Sequence, residues 1–200
     1  MHAALILILG LAAGSGATEA LRARDAEIRA ALPPSGAEVT PAARRRIEAI
    51  VTRAVDTQAI VQAALGNRWS QISAAQRRRL VAAFENRFRR ASGSELDAYR
   101  STQIEYLPEV EADGGVLQIP TRVVVKGEPT EIAYAMKRQR SGWRIVDIVI
   151  DGVSTVANYR SSFARIISKE GVEGLIKRLE RGAPATQPGN KLGSEPESKP

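Results

Sequence analysis

The spacing of apolar residues changes twice along this chain, from helical to alternating and back to helical, and this double switch restricts the fold more than any other feature. At the start, Leu21, Ile28 and Leu32 mark a helical stretch that stops at Pro33 and Pro34. A second helix opens at Thr40 and Pro41, a capping residue followed by proline in the first turn, and puts Ile47, Ile50, Val51, Ala54 and Val55 on one side. Arg44, Arg45, Arg46 and Arg53 fall on the other side. An apolar segment at 60–65 closes at Gly66, and Ser73 with Gln76 three positions on has capping-box spacing. Leu80, Val81, Phe84 and Phe88 then form the stripe of a longer helix.

Strand patterning begins at Gln103. Four runs, 103–111, 116–126, 130–139 and 143–150, are separated by Asp113-Gly114-Gly115, Gly127-Glu128-Pro129 and Ser141-Gly142, which predicts an antiparallel meander. Pro120 removes a ladder donor and points to an edge or a bulge. In the third run Ile132, Tyr134 and Met136 share an apolar face. In the fourth, Val146, Ile148 and Ile150 alternate with Trp143, Ile145 and Val149, so both faces read as covered. Two helices follow, one carrying Val156, Tyr159, Phe163, Ile166 and Ile167 and one carrying Val172, Leu175, Ile176 and Leu179. In 200 residues this order predicts one α+β domain, a twisted four-stranded antiparallel sheet with N-terminal and C-terminal helices.

The ends read differently. An apolar run at 3–13 followed by Gly14, Ser15, Gly16 and Ala17 has the layout of an export signal, too short to span a bilayer, with cleavage expected after Ala17. Residues 183–200 are rich in proline, glycine and polar side chains and are expected to be a disordered tail. The domain is therefore expected over 18–182.

The chemistry available is narrow. The chain has no cysteine, and its one histidine, His2, lies inside the expected signal, so disulfides, thiolate zinc sites and histidine acid-base catalysis are excluded from the mature domain. No glycine-rich phosphate loop, paired metal-ligand spacing or nucleophile elbow is present. Asp147 interrupts an apolar strand, on the side that simple alternation gives to Ile145 and Val149. A general base is one reading. A structural bond to Arg160 or Tyr159 is the better one, because no partner for catalysis accompanies it. Lys plus Arg is 29 against 22 Asp plus Glu, a formal charge of +7, and Arg77, Arg78, Arg79, Arg87, Arg89 and Arg90 sit on one helix. Such a face is either solvated or docks on anionic lipid or an acidic partner. Nucleic acid is not expected, given export and an aromatic content of 4%.

Several segments carry a family resemblance. Gly66-Asn67-Arg68-Trp69, the run Ala75-Gln76-Arg77-Arg78-Arg79 leading to Phe84, the strand and turn from Gly142-Trp143-Arg144 through Asp147 to Asp151-Gly152-Val153-Ser154, and Asn158-Tyr159-Arg160-Ser161-Ser162-Phe163 together resemble the MlaC and toluene-tolerance family of periplasmic phospholipid-binding proteins. Thr57-Gln58-Ala59-Ile60-Val61-Gln62-Ala63-Ala64 departs from the larger and aromatic side chains usual there, which leaves open a hopanoid-associated branch with a different lipid.

The resemblance implies a non-enzymatic carrier with no cofactor. A bound phospholipid is its cargo, held in an apolar cavity between sheet and helices and moved across the periplasm in support of outer-membrane lipid asymmetry. It implies two partners, an inner-membrane ABC transporter bearing an MCE-domain ring and an outer-membrane lipoprotein complex. Some 30 methylenes at about 0.8 kcal/mol each make free passage through water cost on the order of 20 kcal/mol, so a carrier needs a dry pocket. On this reading the acyl chains are expected against Val123, Val125, Ile132, Tyr134, Met136, Ile145 and Val149 of the sheet and Phe84, Phe88, Tyr159 and Phe163 of the helices. Two other classes remain: a small-molecule-binding or enzymatic cone-shaped α+β domain using Asp147, and a solid-cored envelope interaction module.

Overall fold

The computed structural model describes residues 16–182 apart from 35, 36, 93–95 and 126. The expected tail and all of the expected signal except Gly16 and Ala17 lie outside the described residues. Among the described residues six helices precede the sheet: α1 (Ala17–Ala31), α2 (Pro41–Ala54), α3 (Thr57–Leu65), α4 (Arg68–Gln71), α5 (Ala74–Ser92) and α6 (Leu96–Ser101). Local chemistry sets their starts. The Thr40 hydroxyl accepts from the Ala43 amide at 3.2 Å, and the Asp56 carboxylate accepts from the Ala59 amide at 2.9 Å. Ser73 and Gln76 close the expected capping box, each backbone N–H donating to the other's side-chain oxygen, at 3.0 and 3.2 Å.

Among the described residues the sheet has six strands rather than four: β1 (Ile104–Tyr106), β2 (Val110–Ala112), β3 (Val116–Val125), β4 (Glu128–Gln139), β5 (Gly142–Ile150) and β6 (Val153–Ser154). Their order is β1-β3-β4-β5-β6, with β2 also on β3, and every pairing is antiparallel. The extra strands have identifiable causes. Val153 and Ser154 fold back onto β5, and the first expected run is cut in two opposite Pro120. Pro120 stands inside a strand paired on both sides, not at an edge. Its carbonyl accepts from the Leu107 amide at 2.9 Å, so its nitrogen faces the same gap between β1 and β2, where no ladder donor is required.

A β-bulge decides which residues share a face. Ala135 pairs with Asp147 but the next residue, Met136, pairs with Ile145, leaving Val146 as the extra residue on β5. The alternation expected for this strand is therefore broken. Ile145 joins Ile148 and Ile150 on the face of Tyr134 and Met136, whereas Asp147 and Val149 lie on the opposite face with Ala133 and Ala135.

The two expected C-terminal helices are the halves of α7 (Thr155–Glu180), broken at Gly171 with φ 69° and ψ −179°. Its first turn is capped by the Ser154 hydroxyl, which accepts from the Ala157 amide at 3.0 Å. The core lies between helices and sheet. Phe84, Tyr159 and Phe163 meet there with ring centroids 4.9 to 6.3 Å apart, and Ile119, Met136 and Ile145 meet them from the sheet.

Candidate functional site

A cavity of about 240 Å³ separates part of the sheet from α1 and α2. The bulge is what floors it, because it turns Ile145 and Ile148 to the same side; Tyr134, Ile104 and Tyr106 complete the sheet wall. Val51, Ala54 and Val55 form the α2 wall, and Phe88 and Tyr99 close one end. Leu21, Arg24, Asp25 and Ile28 of α1 form the remaining side. The junction after α2 is tied to β5 by two bonds: the Asp56 amide donates to the Ile145 carbonyl at 2.8 Å, and the Arg144 guanidinium donates to the Val55 carbonyl at 2.6 Å.

The charged residues of the lining, Arg24 and Asp25, are both on α1. The Asp25 carboxylate accepts from the Tyr99 hydroxyl and from Arg29 Nε, the latter at 3.0 Å to each oxygen. Arg29 also donates to the Thr102 carbonyl at 2.7 Å, so these bonds clasp α1 to the end of α6. Burial, chiefly, pushes the phenols of Tyr106 and Tyr134 up to about 12, and burial together with the bond to Asp25 raises Tyr99 as well. All three are neutral hydroxyls at physiological pH. Among the described residues, those of Tyr106 and Tyr134 have no hydrogen-bond partner.

Of the residues expected to meet lipid, Phe88, Tyr134 and Ile145 line this cavity. Phe84, Tyr159, Phe163 and Met136 pack in the adjoining core. Val123 and Ile132 hold register positions on the cavity face of the sheet without entering the lining, Val125 is paired in β3 but its side chain lies outside what is described, and Val149 is carried to the opposite face by the bulge. The α1 residues and Tyr99 were not anticipated. The α1 stretch shows only a sparse apolar pattern, and its Arg24-Asp25 pair reads as ordinary surface, whereas Val51 and Ala54 were already legible as the apolar side of α2.

Asp147 is outside the cavity and holds backbone instead. One oxygen accepts from the Ile148 and Val156 amides at 2.8 and 3.0 Å, and the other accepts from the Ser154 hydroxyl at 2.5 Å. Its expected partner Arg160 donates to the Ala63 carbonyl at 3.1 Å. Among the described residues no group of three His, Cys, Asp or Glu is placed to hold a metal, and no helix is long and apolar enough to cross a membrane. Part of the arginine-rich face of α5 is engaged within the molecule: Arg79 makes exposed ion pairs with Glu173 and Glu180 of α7 at 2.9 and 3.2 Å, and Arg77 lies over the Trp69 ring.

An antiparallel sheet covered on one face by helices, with a largely apolar cavity between part of the sheet and α1 and α2, defines a small α+β protein with a pocket beside its core. The family model for MlaC protein matches residues 32–181, and the chain belongs to the MlaC family. Among solved structures it is similar to a phospholipid-binding protein from Ralstonia solanacearum in complex with a phospholipid. That match has a TM-score of 0.70 at 24% identity and covers 83% of this chain and 96% of that one. At this identity the likeness establishes the fold.

Proposed function

We propose that this protein is a periplasmic carrier that holds the acyl chains of a phospholipid, or a related two-tailed lipid, in the cavity under α1 and ferries it between membrane-bound partners. The observation that carries the reading is the cavity itself. Protein interiors fill to crystal-like density, so an apolar hollow of about 240 Å³ beside a well-packed core is a built feature rather than slack. Membership of the MlaC family and the phospholipid held by the Ralstonia relative point to the class of cargo. A hopanoid-related lipid is the alternative cargo for the same hollow.

The hollow is smaller than the roughly 300 to 1,000 Å³ of ordinary ligand sites, so a whole lipid needs it to widen. The wall suited to give way is α1. Of its 15 residues only Ala17 and Leu21 are buried, and its clasp to α6 is polar and replaceable by water. Binding rather than catalysis fits the lining, since Asp147, for which a general base was the less favoured reading, is outside it and is held by the Ile148 and Val156 amides and the Ser154 hydroxyl. The export-like N-terminal residues support a periplasmic setting. We assign the partners as an inner-membrane ABC transporter with an MCE-domain ring and an outer-membrane lipoprotein complex, docking through exposed arginines such as Arg45, Arg46 and Arg78.

Denaturing mass spectrometry of the protein purified from its host envelope tests this. One two-tailed lipid per chain is the expected result; repeated preparations free of such a lipid overturn it.

A further inference from the structure

The polar groups that line the cavity fall into two sets, and only one is uncommitted. The charges, Arg24 and Asp25, cancel, and each already has a partner: Arg24 pairs with Glu27 at 2.5 Å, and Asp25 accepts from Arg29 Nε at 3.0 Å and from the Tyr99 hydroxyl. The hydroxyls of Tyr106 and Tyr134 remain. Neither has a hydrogen-bond partner among the described residues, and neither is sealed in, since the buried side-chain atoms left without a bond there are the Nε atoms of Arg77, Arg100 and Arg144. Strand register puts both rings on one face of the sheet. Tyr134 pairs with Ile119 and Tyr106 with Thr121, two positions further along β3, so the two tyrosines flank that strand from either side. Arg22 lies 4.1 Å from the centroid of the Tyr106 ring, a contact that holds the ring without using its hydroxyl. After burial, the charge of Asp25 is among the causes that push both phenols up, which sets the two hydroxyls around one carboxylate of α1. The walls from α2 and β5, among them Val51, Ala54, Val55 and Ile145, are apolar.

We infer that Tyr106 and Tyr134 donate hydrogen bonds to the ester carbonyls of a diacyl lipid, so that the protein selects ester-linked over ether-linked cargo. The inference rests on the carrier reading, since it places the acyl chains in the cavity. A neutral phenol is a donor, and once cargo has displaced water from the hollow, a phenol left without an acceptor is costly. An ester carbonyl is a neutral acceptor at the root of each acyl chain, where hydrocarbon gives way to polar groups. A diacyl lipid brings two of them to a lining that offers two uncommitted hydroxyls beside apolar walls. A phosphate is less suited to this place, because both charges of the lining are already answered. An ether link keeps nearly the same shape and lacks the carbonyl oxygen, so the hydrogen bond is what separates the two kinds of lipid.

The test gives the delipidated full chain vesicles of equal ester-linked and ether-linked phosphatidylglycerol with matched hydrocarbon chains, then measures the bound forms by mass spectrometry. The double variant Tyr106→Phe, Tyr134→Phe keeps both rings and removes only their oxygens. Its ratio of bound forms is the baseline for any difference in how readily the two lipids leave the vesicle. Relative to that baseline the wild type is expected to favour the ester form about fivefold, the size of one or two neutral hydrogen bonds. The variant is expected to hold as much total lipid per chain as the wild type and to melt at a similar temperature, since the two hydroxyls have no partner to lose among the described residues. The same ratio in wild type and variant overturns the carbonyl contact and leaves the carrier standing. No uptake of either form by the wild type overturns both.

Discussion

Asp147 shows how much a single residue reveals and withholds. A carboxylate inside an apolar strand is legible as a structural bond, but its partners were not, because the bulge at Val146 turns it away from the side that alternation assigns. What it does is join β5 to the start of α7 through the Val156 amide and the Ser154 hydroxyl. Asp147→Ala leaves those donors without an acceptor and is expected to cost about 1–2 kcal/mol. For a domain of this size that lowers Tm by about 2–8 °C. Thermal melts followed by circular dichroism, with Asp147→Asn as the milder variant that keeps one oxygen, check the size of the effect. Lipid content should stay unchanged in both; its loss at an unaltered Tm means the residue serves cargo rather than fold. The cavity tyrosines give a second residue-level prediction. Burial favours the neutral phenol, raising Tyr106 and Tyr134 from the ordinary value near 10 to about 12. The folded state therefore binds protons more tightly than the unfolded one. The stabilisation is complete below pH 10 and is lost as pH climbs through 12. In an alkaline titration the phenolate absorbance of the native protein is expected to lag behind that of the chain in denaturant. Coincident curves contradict the burial of these rings.

Elements whose ends are fixed by their own residues were readable, and those fixed by a distant partner were not. Thr40-Pro41 and the Ser73 and Gln76 pair cap their helices because the bonds close within three residues. The split of β1 from β2 depends on Pro120, which lies on another strand, and nothing local in 103–111 records it. Gly171 is an intermediate case: two helical stripes were visible on either side of it, but not the turn between them. At φ 69° and ψ −179° it occupies a region open essentially to glycine alone, and no atom lies within 4 Å of where a side-chain carbon would go. Gly171→Ala is therefore a purely conformational change, expected to cost about 1–3 kcal/mol in a urea titration. An unchanged midpoint removes the reason for glycine at the break. α1 makes the opposite case. Its apolar residues looked sparse because it contributes few to the core, and that same looseness suits a movable wall. Hydrogen exchange by mass spectrometry is expected to show α1 amides exchanging well ahead of those in the first half of α7, and slowing when lipid is loaded. Equal protection with and without lipid means cargo does not enter beneath α1.

For the whole molecule, the order of helices and strands was enough to place it in the α+β class, yet it did not place the hollow. Most of the side chains singled out as lipid contacts, Phe84, Tyr159, Phe163 and Met136 among them, are apolar at positions where a core and a cargo site look alike in sequence. The two are physically distinct, because a filled interior resists added bulk and a hollow accepts it. Ala54 lines the cavity from α2 and Ala64 sits in the packed core on α3, and both are nearly buried. Ala64→Phe should strain its neighbours and lower stability by about 1–3 kcal/mol or more. Ala54→Phe should place its ring in space that lipid otherwise takes, leaving the melting temperature of the lipid-free protein unchanged or higher while most of the bound lipid is lost. Matched losses of stability in the two variants identify the hollow as ordinary packing. Retention of lipid by Ala54→Phe at wild-type stability locates the cargo elsewhere on the protein, and with it the widening of the cavity that the carrier reading requires.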